Sequence, residues 1–470
     1  MGAIKFGTDG WRAVISEDFT FDNVKKVAQT IAQYTKGKEF KGRRGVVVGY
    51  DTRFLSDKYA ELVACVLAAN GIKTILTSKA TPTPSISYAI KDRNLTGGVV
   101  ITASHNPARY NGIKYKAFYS GSAGPEITKA LEGHLGTPVN YMTLGEAKDK
   151  GLVEVADIIP RHLDFVKRYV DLPLLKRSSL KILVDSMYGA GDGYIQDLLK
   201  GGRCRVDTIH NEYNPGFGGI NPEPIMPNLK ELADKTKRSK YDIGVATDGD
   251  ADRLGISGPD GKLLTGHKVM SLLLLHLFED RKMRGDVIQT ICGTVLINKI
   301  CKKYRIKMHE TPVGFKYICD IMRKEDALIG GEETGGVAFK GYIPERDGIL
   351  SGLLILEMMV MRKKKLPEIL RAIDKEYGTY EYRRLDAKYP DEKKPKLMEF
   401  LKENPLKEVA GKKVVQVKDT DGYKFICEDE SWLMLRLSGT EPILRIYSEA
   451  SSGTKALKIL EFGKKVAYSI

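Results

Sequence analysis

The sequence predicts an α/β protein that ends in a smaller α+β domain. Three observations carry the prediction. Strand-like and helix-like segments alternate through about the first 370 residues. The texture turns rich in Lys, Asp and Glu from about residue 373 onward. Several apolar strand-like runs end in loops bearing Gly, Ser or Asp. Alternation of this kind indicates mostly parallel sheets, and ligands are expected at the carboxyl ends of such strands.

In order along the chain, 45–50 reads as a buried strand and 57–70 as an amphipathic helix stopped by Gly71. Residues 73–76 form a strand, and 99–103 a further strand leading into a serine loop. Residues 180–185 run into Gly189-Ala190-Gly191, and 242–246 feed a cluster of aspartates. Strands at 287–291 and 327–330 precede Gly293-Thr294 and Gly331-Glu332-Glu333-Thr334-Gly335-Gly336. The last segment offers strands at 413–417, 424–427, 432–437 and 444–448, then a closing helix over 453–469. The expected division is 1–150, 151–254, 255–372 and 373–470.

Bulk properties are those of a globular chain. Of 470 residues, 42% are hydrophobic and 29% charged, enough for roughly three domains. The longest apolar stretches, 269–278 and 353–361, are about half a membrane span and contain His276 and Glu357. Both read as core helices, so no membrane partner is expected. The N-terminal residues lack the basic and apolar regions of a signal peptide. Six cysteines without a CxxC pair read as free thiols in a reducing, cytoplasmic setting. The net charge of +15 fits a solvated basic surface or attraction of a small polyanion. No aromatic-basic interleaving points to nucleic acid.

Two motifs suggest chemistry. Thr102-Ala103-Ser104-His105-Asn106-Pro107 places a hydroxyl at a strand tip, although such a serine also forms turns. Asp248-Gly249-Asp250-Ala251-Asp252-Arg253 can offer three oxygens to one hard cation if alternate residues of an extended chain face together. A solvated acidic turn is the plain alternative, and an EF-hand fails because Arg253 and Pro259 stand where Gly and Glu are needed. Together they suggest a phosphorylated serine whose charge a divalent ion neutralises. Glu332 and Thr334 suit adjacent sugar hydroxyls. Arg436-Leu437-Ser438-Gly439-Thr440-Glu441-Pro442, with Arg445, suits a phosphate, or is a simple hairpin turn. Neither a Walker A nor a Rossmann glycine pattern is present.

These four motifs in this order resemble the α-D-phosphohexomutase superfamily of phosphoglucomutases and phosphomannomutases. Phe6-Gly7-Thr8-Asp9-Gly10-Trp11-Arg12, Tyr110-Asn111-Gly112-Ile113-Lys114 and Thr311-Pro312-Val313-Gly314-Phe315-Lys316 extend the resemblance over essentially the whole chain. It implies three related α/β/α domains and a smaller C-terminal α+β domain around a central cleft. It implies a phosphoserine at Ser104 and Mg²⁺ held by its phosphate with Asp248, Asp250 and Asp252. Arg12, His105 and Arg253 would lie near the reacting phosphate, with Lys114 the favoured general acid/base. Glu332, Thr334 and Lys316 would hold the sugar, and Arg436, Ser438, Gly439, Thr440 and Arg445 the phosphate that is not reacting.

The implied reaction converts glucose 1-phosphate to glucose 6-phosphate through glucose 1,6-bisphosphate, which also serves as activator. The protein is expected as a monomer or homodimer with a hexose phosphate as partner. A phosphomannomutase or dual enzyme is the alternative, because glucose and mannose share O3 and O4. Phosphoglucosamine mutases tend to carry Asp in place of Tyr110 and Gly in place of Ala251. A Ser104-dependent phosphatase and a basic nucleic-acid-binding protein are further readings. Two departures stand out: Thr334 where the family often has Ser, and Arg346 where some relatives have Lys.

Overall fold

The structure, a computed structural model, describes residues 4–7, 9–438 and 442–470. The chain forms two compact units, Met1–Arg284 with Gly314–Leu366, and Gly285–Val313 with Pro367–Ile470.

The first unit begins with a six-stranded sheet. Its strands are β1 (Trp11–Val14), β2 (Val46–Tyr50), β3 (Thr74–Thr77), β4 (Gly97–Ile101), β5 (Tyr110–Ala117) and β6 (Val153–Ala156), in the spatial order β1-β5-β4-β2-β3-β6. Strands β4, β2, β3 and β6 run parallel. Strand β5 is antiparallel to both its neighbours. The reversal of β5 within this mostly parallel sheet has a simple cause. The stretch 102–109 is shorter than the dozen or so residues a parallel crossover needs, so the chain returns as a hairpin. The serine loop is the tip of that hairpin, and Lys114 and Lys116 lie on its returning strand.

Period-2 alternation sends side chains of this sheet to both faces. Val46, Val48, Val99 and Ile101 join a core with Val24, Val27 and Ile31 of the helix Phe21–Tyr34 and Val63 and Leu67 of the helix Ser56–Ala69. Val47 and Val100 face the opposite way, onto Ile86 and Ile90 of the helix Thr83–Asp92. Burying each such side chain contributes about 1.5–3 kcal/mol before the entropy of ordering it.

A five-stranded sheet follows, of β7 (Lys181–Asp185), β8 (Arg205–Ile209), β9 (Ile243–Thr247), β10 (Leu254–Ser257) and β11 (Leu263–Leu264), ordered β11-β10-β9-β7-β8. Strands β8, β7 and β9 are parallel, whereas β10 and β11 are antiparallel additions. The first sheet thus runs past residue 150 through β6, and the second past residue 254 through β11.

Next along the chain come two strand pairs. In the second unit β12 (Asp286–Thr290) runs parallel to β13 (Met308–Thr311). In the first unit β14 (Ala327–Gly331) runs antiparallel to β15 (Val337–Phe339). The second unit continues with β16 (Glu381–Lys388), β17 (Glu408–Val409), β18 (Lys412–Lys418), β19 (Tyr423–Cys427), β20 (Trp432–Leu437) and β21 (Ile443–Ala450). These form an antiparallel sheet ordered β16-β21-β20-β19-β18-β17, backed by the helix Gly453–Tyr468.

The helices expected over the two longest apolar stretches are Gly266–Leu275, which continues as a π-helical turn His276–Asp280, and Gly348–Arg362. Among the described residues no helix is long and apolar enough to cross a membrane. The six cysteines are free thiols; all but Cys204 are buried.

Candidate active site

Ser104 sits at the end of β4, buried, with its backbone in the left-handed region at φ +53°. A short polar relay fixes it there. The Ser104 amide donates to Thr102 Oγ1 at 2.7 Å, and the Thr102 hydroxyl donates to Asp51 Oδ2 at 2.6 Å. Arg53, next to the carboxyl end of β2, donates to the carbonyls of Ser104, Asn106, Pro107 and Tyr110. Arg12 donates to Asn106 Oδ1 at 2.6 Å, and His105 Nδ1 lies 3.4 Å from Ser104 Oγ.

The aspartate loop follows β9 and meets the serine loop directly. Ser104 Oγ donates to Asp248 Oδ2 at 2.9 Å. Asp248 Oδ1 accepts from the amides of Asp252 and Arg253. The three carboxylates converge as expected, with one oxygen from each lying within 4.8 Å of the others. The route differs from the expected extended chain: residues 249–251 turn, with Ala251 left-handed at φ +59°.

The donor set fits a hard dication. All three aspartates are fully buried, and Asp250 Oδ1 and Asp252 Oδ1 have no hydrogen-bond partner. Oxygen-only ligation by carboxylates suits Mg²⁺. Burial and the charges of Asp252 and Asp250 push Asp248 well above the usual carboxylate range. For Asp250 burial acts in the same direction, but Lys114 and the Thr83 hydroxyl outweigh it and hold the group low.

Lys114, buried on β5, donates to Asp250 Oδ2 at 2.8 Å and Asp252 Oδ2 at 3.3 Å, and pairs with Asp9 at 3.1 Å. Burial alone would lower its pKa; these three carboxylates outweigh burial and hold it well above the ordinary lysine value. Arg253 is buried, with its Nε 4.0 Å from Asp252 Oδ1 and without a hydrogen bond.

Several of these residues lay outside the sequence-derived site. Arg346 bridges Asp252 at 2.7 Å, Asp9 at 2.9 Å and Glu332 at 3.1 Å, so it joins the aspartate loop to the sugar-binding candidate. The motif around Arg346 was legible, but its role as a bridge among three carboxylates was not. Lys116 pairs with Glu345 at 2.7 Å, and Thr83 Oγ1 donates to Asp250 Oδ2 at 2.5 Å. Single buried lysines and threonines of this kind carry no spacing signal. Arg53 belongs with them, although Asp51-Thr52-Arg53 at a strand end was readable as a polar cap.

Glu332 is buried and raised above the usual carboxylate value, chiefly by that burial. Thr334 Oγ1 is out of contact with solvent and has no hydrogen-bond partner. Lys316 is half-buried at the start of the helix Phe315–Lys324, and burial lowers its pKa against the charges of Asp9 and Glu126.

In the second unit, Arg436 on β20 and Arg445 on β21 stand directly opposite each other. Like charges in that register repel. Arg436 Nε donates to Asp421 at 2.8 Å, and Arg445 Nε lies 3.8 Å from Asp386. Ser438 is buried, and Lys394 donates to its carbonyl at 2.9 Å. Gly439 and Thr440 lie outside the described residues.

Models of the phosphoglucomutase/phosphomannomutase α/β/α domains I, II and III match residues 3–141, 160–261 and 265–377, and the model of the C-terminal domain matches 386–462. The chain is 32% identical to a phosphoglucomutase/phosphomannomutase of Thermococcus kodakarensis, over 98% of both chains. It is 30% identical to a phosphoglucosamine/phosphogalactosamine mutase of Sulfurisphaera tokodaii, again over 98% of both. A crystal structure from Thermus thermophilus, provisionally called a phosphomannomutase, superposes with a TM-score of 0.88 at 34% identity over the full length of both chains. With three α/β/α domains and a C-terminal domain matched in order, the chain belongs to the phosphoglucomutase/phosphomannomutase family of α-D-phosphohexomutases and is an enzyme of that mutase class.

Proposed function

We propose that this enzyme interconverts glucose 1-phosphate and glucose 6-phosphate through a phosphoserine at Ser104. The observation that carries the reading is the bond from Ser104 Oγ to Asp248, inside a buried cluster of three carboxylates. Asp248, Asp250 and Asp252 would hold Mg²⁺ together with the serine phosphate. When bound, the ion supplies charge neutralisation at the transferring phosphoryl group.

The chain's own residues supply the rest. The serine loop aims Ser104 Oγ, so that the Oγ–P bond breaks as a hydroxyl oxygen of the bound sugar phosphate attacks phosphorus in line. The hydroxyl proton replaces the phosphoryl group on the departing Ser104 Oγ, and Lys114, held as an ammonium by its three carboxylates, is the general acid/base candidate and would enter the exchange as the proton donor. The resulting 1,6-bisphosphate turns over and returns its other phosphoryl group to Ser104, leaving the isomeric monophosphate. Arg12, His105 and Arg253 would orient the reacting phosphate, and Glu332, Thr334 and Lys316 the sugar. Arg436, Ser438, Gly439, Thr440 and Arg445 would grip the second phosphate. Each of the expected segments 1–150, 151–254, 255–372 and 373–470 carries one of these loops in its sequence, and free thiols suit a cytoplasmic setting.

A phosphomannomutase or dual enzyme is the second reading, supported by the name of the Thermococcus relative. The Sulfurisphaera relative keeps amino sugars in view. Ala251 argues little against them, because its left-handed backbone is one that Gly adopts readily, whatever the sugar. Turnover of glucose 1-, mannose 1- and glucosamine 1-phosphates, each with Mg²⁺ and a trace of the matching bisphosphate, tests the assignment. Glucose turnover far above the others supports it; comparable mannose turnover makes the enzyme dual; glucosamine turnover alone overturns it.

A further inference from the structure

We propose that Arg53 is a positioning residue for phosphoryl transfer: it holds the serine loop in the one backbone conformation that aims Ser104 at the aspartate cluster. The proposal rests on the phosphoserine reading above.

Residues 102–109 form irregular chain, and carbonyls withdrawn from water in such chain need partners. Three of them, with that of Tyr110 at the start of β5, converge on one guanidinium. Arg53 Nη2 donates to Ser104 O at 2.7 Å and Asn106 O at 2.6 Å, while Nη1 donates to Pro107 O at 2.9 Å and Tyr110 O at 3.0 Å. Its remaining nitrogen, Nε, lies 3.2 Å from Asp51 Oδ2, and both side chains are fully buried. The planar group also lies over the Phe217 ring, 4.9 Å from its centroid. With four N–H bonds committed to the loop, Arg53 is built to hold backbone rather than a substrate anion.

The conformation it holds is a costly one. A non-glycine residue in the left-handed region gives up about 1–2 kcal/mol and persists where its surroundings over-determine it. Ser104 is such a residue, at φ +53°. Its carbonyl is tied to Arg53, and its amide is tied through Thr102 Oγ1 to Asp51, the ion-pair partner of Arg53. One buried pair at the end of β2 therefore fixes both sides of the serine. Lysine cannot replace this fork, because an ammonium is a point charge with three donors.

The experiment compares wild type, Arg53→Lys and Ser104→Ala in the full chain. It measures kcat and KM for glucose 1-phosphate, and Ser104 phosphorylation by glucose 1,6-bisphosphate through intact mass, all per folded molecule. Arg53→Lys keeps the charge beside Asp51 and removes the fork. We expect its kcat and its phosphorylation rate to fall together by ~100-fold, the scale of an ångström-sized misplacement, with KM within about threefold of wild type. A kcat per folded molecule within about threefold of wild type, or a KM rise that accounts for the loss, overturns the proposal. If Arg53→Lys does not fold, the double variant Arg53→Met, Asp51→Asn removes both charges and is read the same way. Failure of the phosphoserine reading itself shows separately, as turnover in Ser104→Ala; an inactive Ser104→Ala beside a fully active Arg53→Lys defeats this inference alone.

Discussion

His276 Nε2 lies 3.1 Å from Glu357 Oε1, and both side chains are buried. These are the ionisable residues that interrupt the two longest apolar stretches of the chain, and each is tolerated because the other is its partner. His276 Nδ1 also faces Asp280 at 3.0 Å, and the amide of Asp171 donates to Glu357 Oε2 at 2.8 Å. Arg281 and Arg362 stand beside the same carboxylates.

The pair predicts a pH dependence of stability. Burial pulls the His276 pKa down, but its bonds to Asp280 and Glu357 outweigh burial and hold it above the ordinary histidine value. A raised folded value means the stabilisation is fully present below the unfolded pKa of about 6.5 and is lost as pH rises through the folded value. Urea midpoints of wild type and His276→Gln check this. The gap between them should be widest near pH 6 and narrow at alkaline pH; a gap that does not change with pH contradicts it.

Gly249→Ala should separate the serine loop from the aspartate loop. A Cβ built at Gly249 would lie 2.6 Å from Ser104 O, a backbone atom that Arg53 also holds. Something must shift, and the bond from Ser104 Oγ to Asp248 is the nearest to yield. The variant should keep its fold and lose ~100-fold in kcat. Wild-type kinetics would show that the close approach of the two loops has no bearing on transfer.

Much of this was legible in sequence. The strands at 45–50, 180–185, 327–330 and 432–437 match within a residue or two, because each is an apolar run bounded by turn formers. The hairpin direction of β5 was readable from the shortness of 102–109 but was masked by the parallel pattern around it. Ser104 and the aspartates stood out because their chemistry is concentrated in a few adjacent positions. Asp9, Arg53, Thr83 and Lys116 did not, and Arg346 did so only as a departure from the family pattern, since each gains its role from partners far away in sequence. Arg346 and Asp252 meet only once the chain is folded.

Asp250→Asn should weaken the response to Mg²⁺ and the rate together. It removes a candidate ligand and leaves Lys114 with one fewer counter-charge. The Mg²⁺ concentration for half-maximal rate should rise at least ~10-fold, the lower end of what is lost even with an outer partner of a ligand. A titration that overlays the wild type would remove Asp250 from the ligand set.

Arg445→Ala tests the phosphate grip. Arg436 and Arg445 oppose each other across β20 and β21, each beside one carboxylate, so that two guanidinium groups stand within reach of one another. Loss of one charge-assisted bond of about 1.5–3 kcal/mol should raise KM for glucose 1-phosphate by about 10- to 100-fold. Ser104 phosphorylation by a large excess of glucose 1,6-bisphosphate should change far less. An unchanged KM would make the pair a feature of the hairpin alone.

The most direct test of the central claim is turnover of glucose 1-phosphate by wild type and Ser104→Ala, with Mg²⁺ and a trace of glucose 1,6-bisphosphate, following both glucose 6-phosphate and inorganic phosphate. Wild type should form glucose 6-phosphate without steady release of phosphate, and Ser104→Ala, folded, should form none. Turnover by Ser104→Ala near the wild-type rate, or phosphate release that keeps pace with substrate loss, would contradict a phosphoserine mutase.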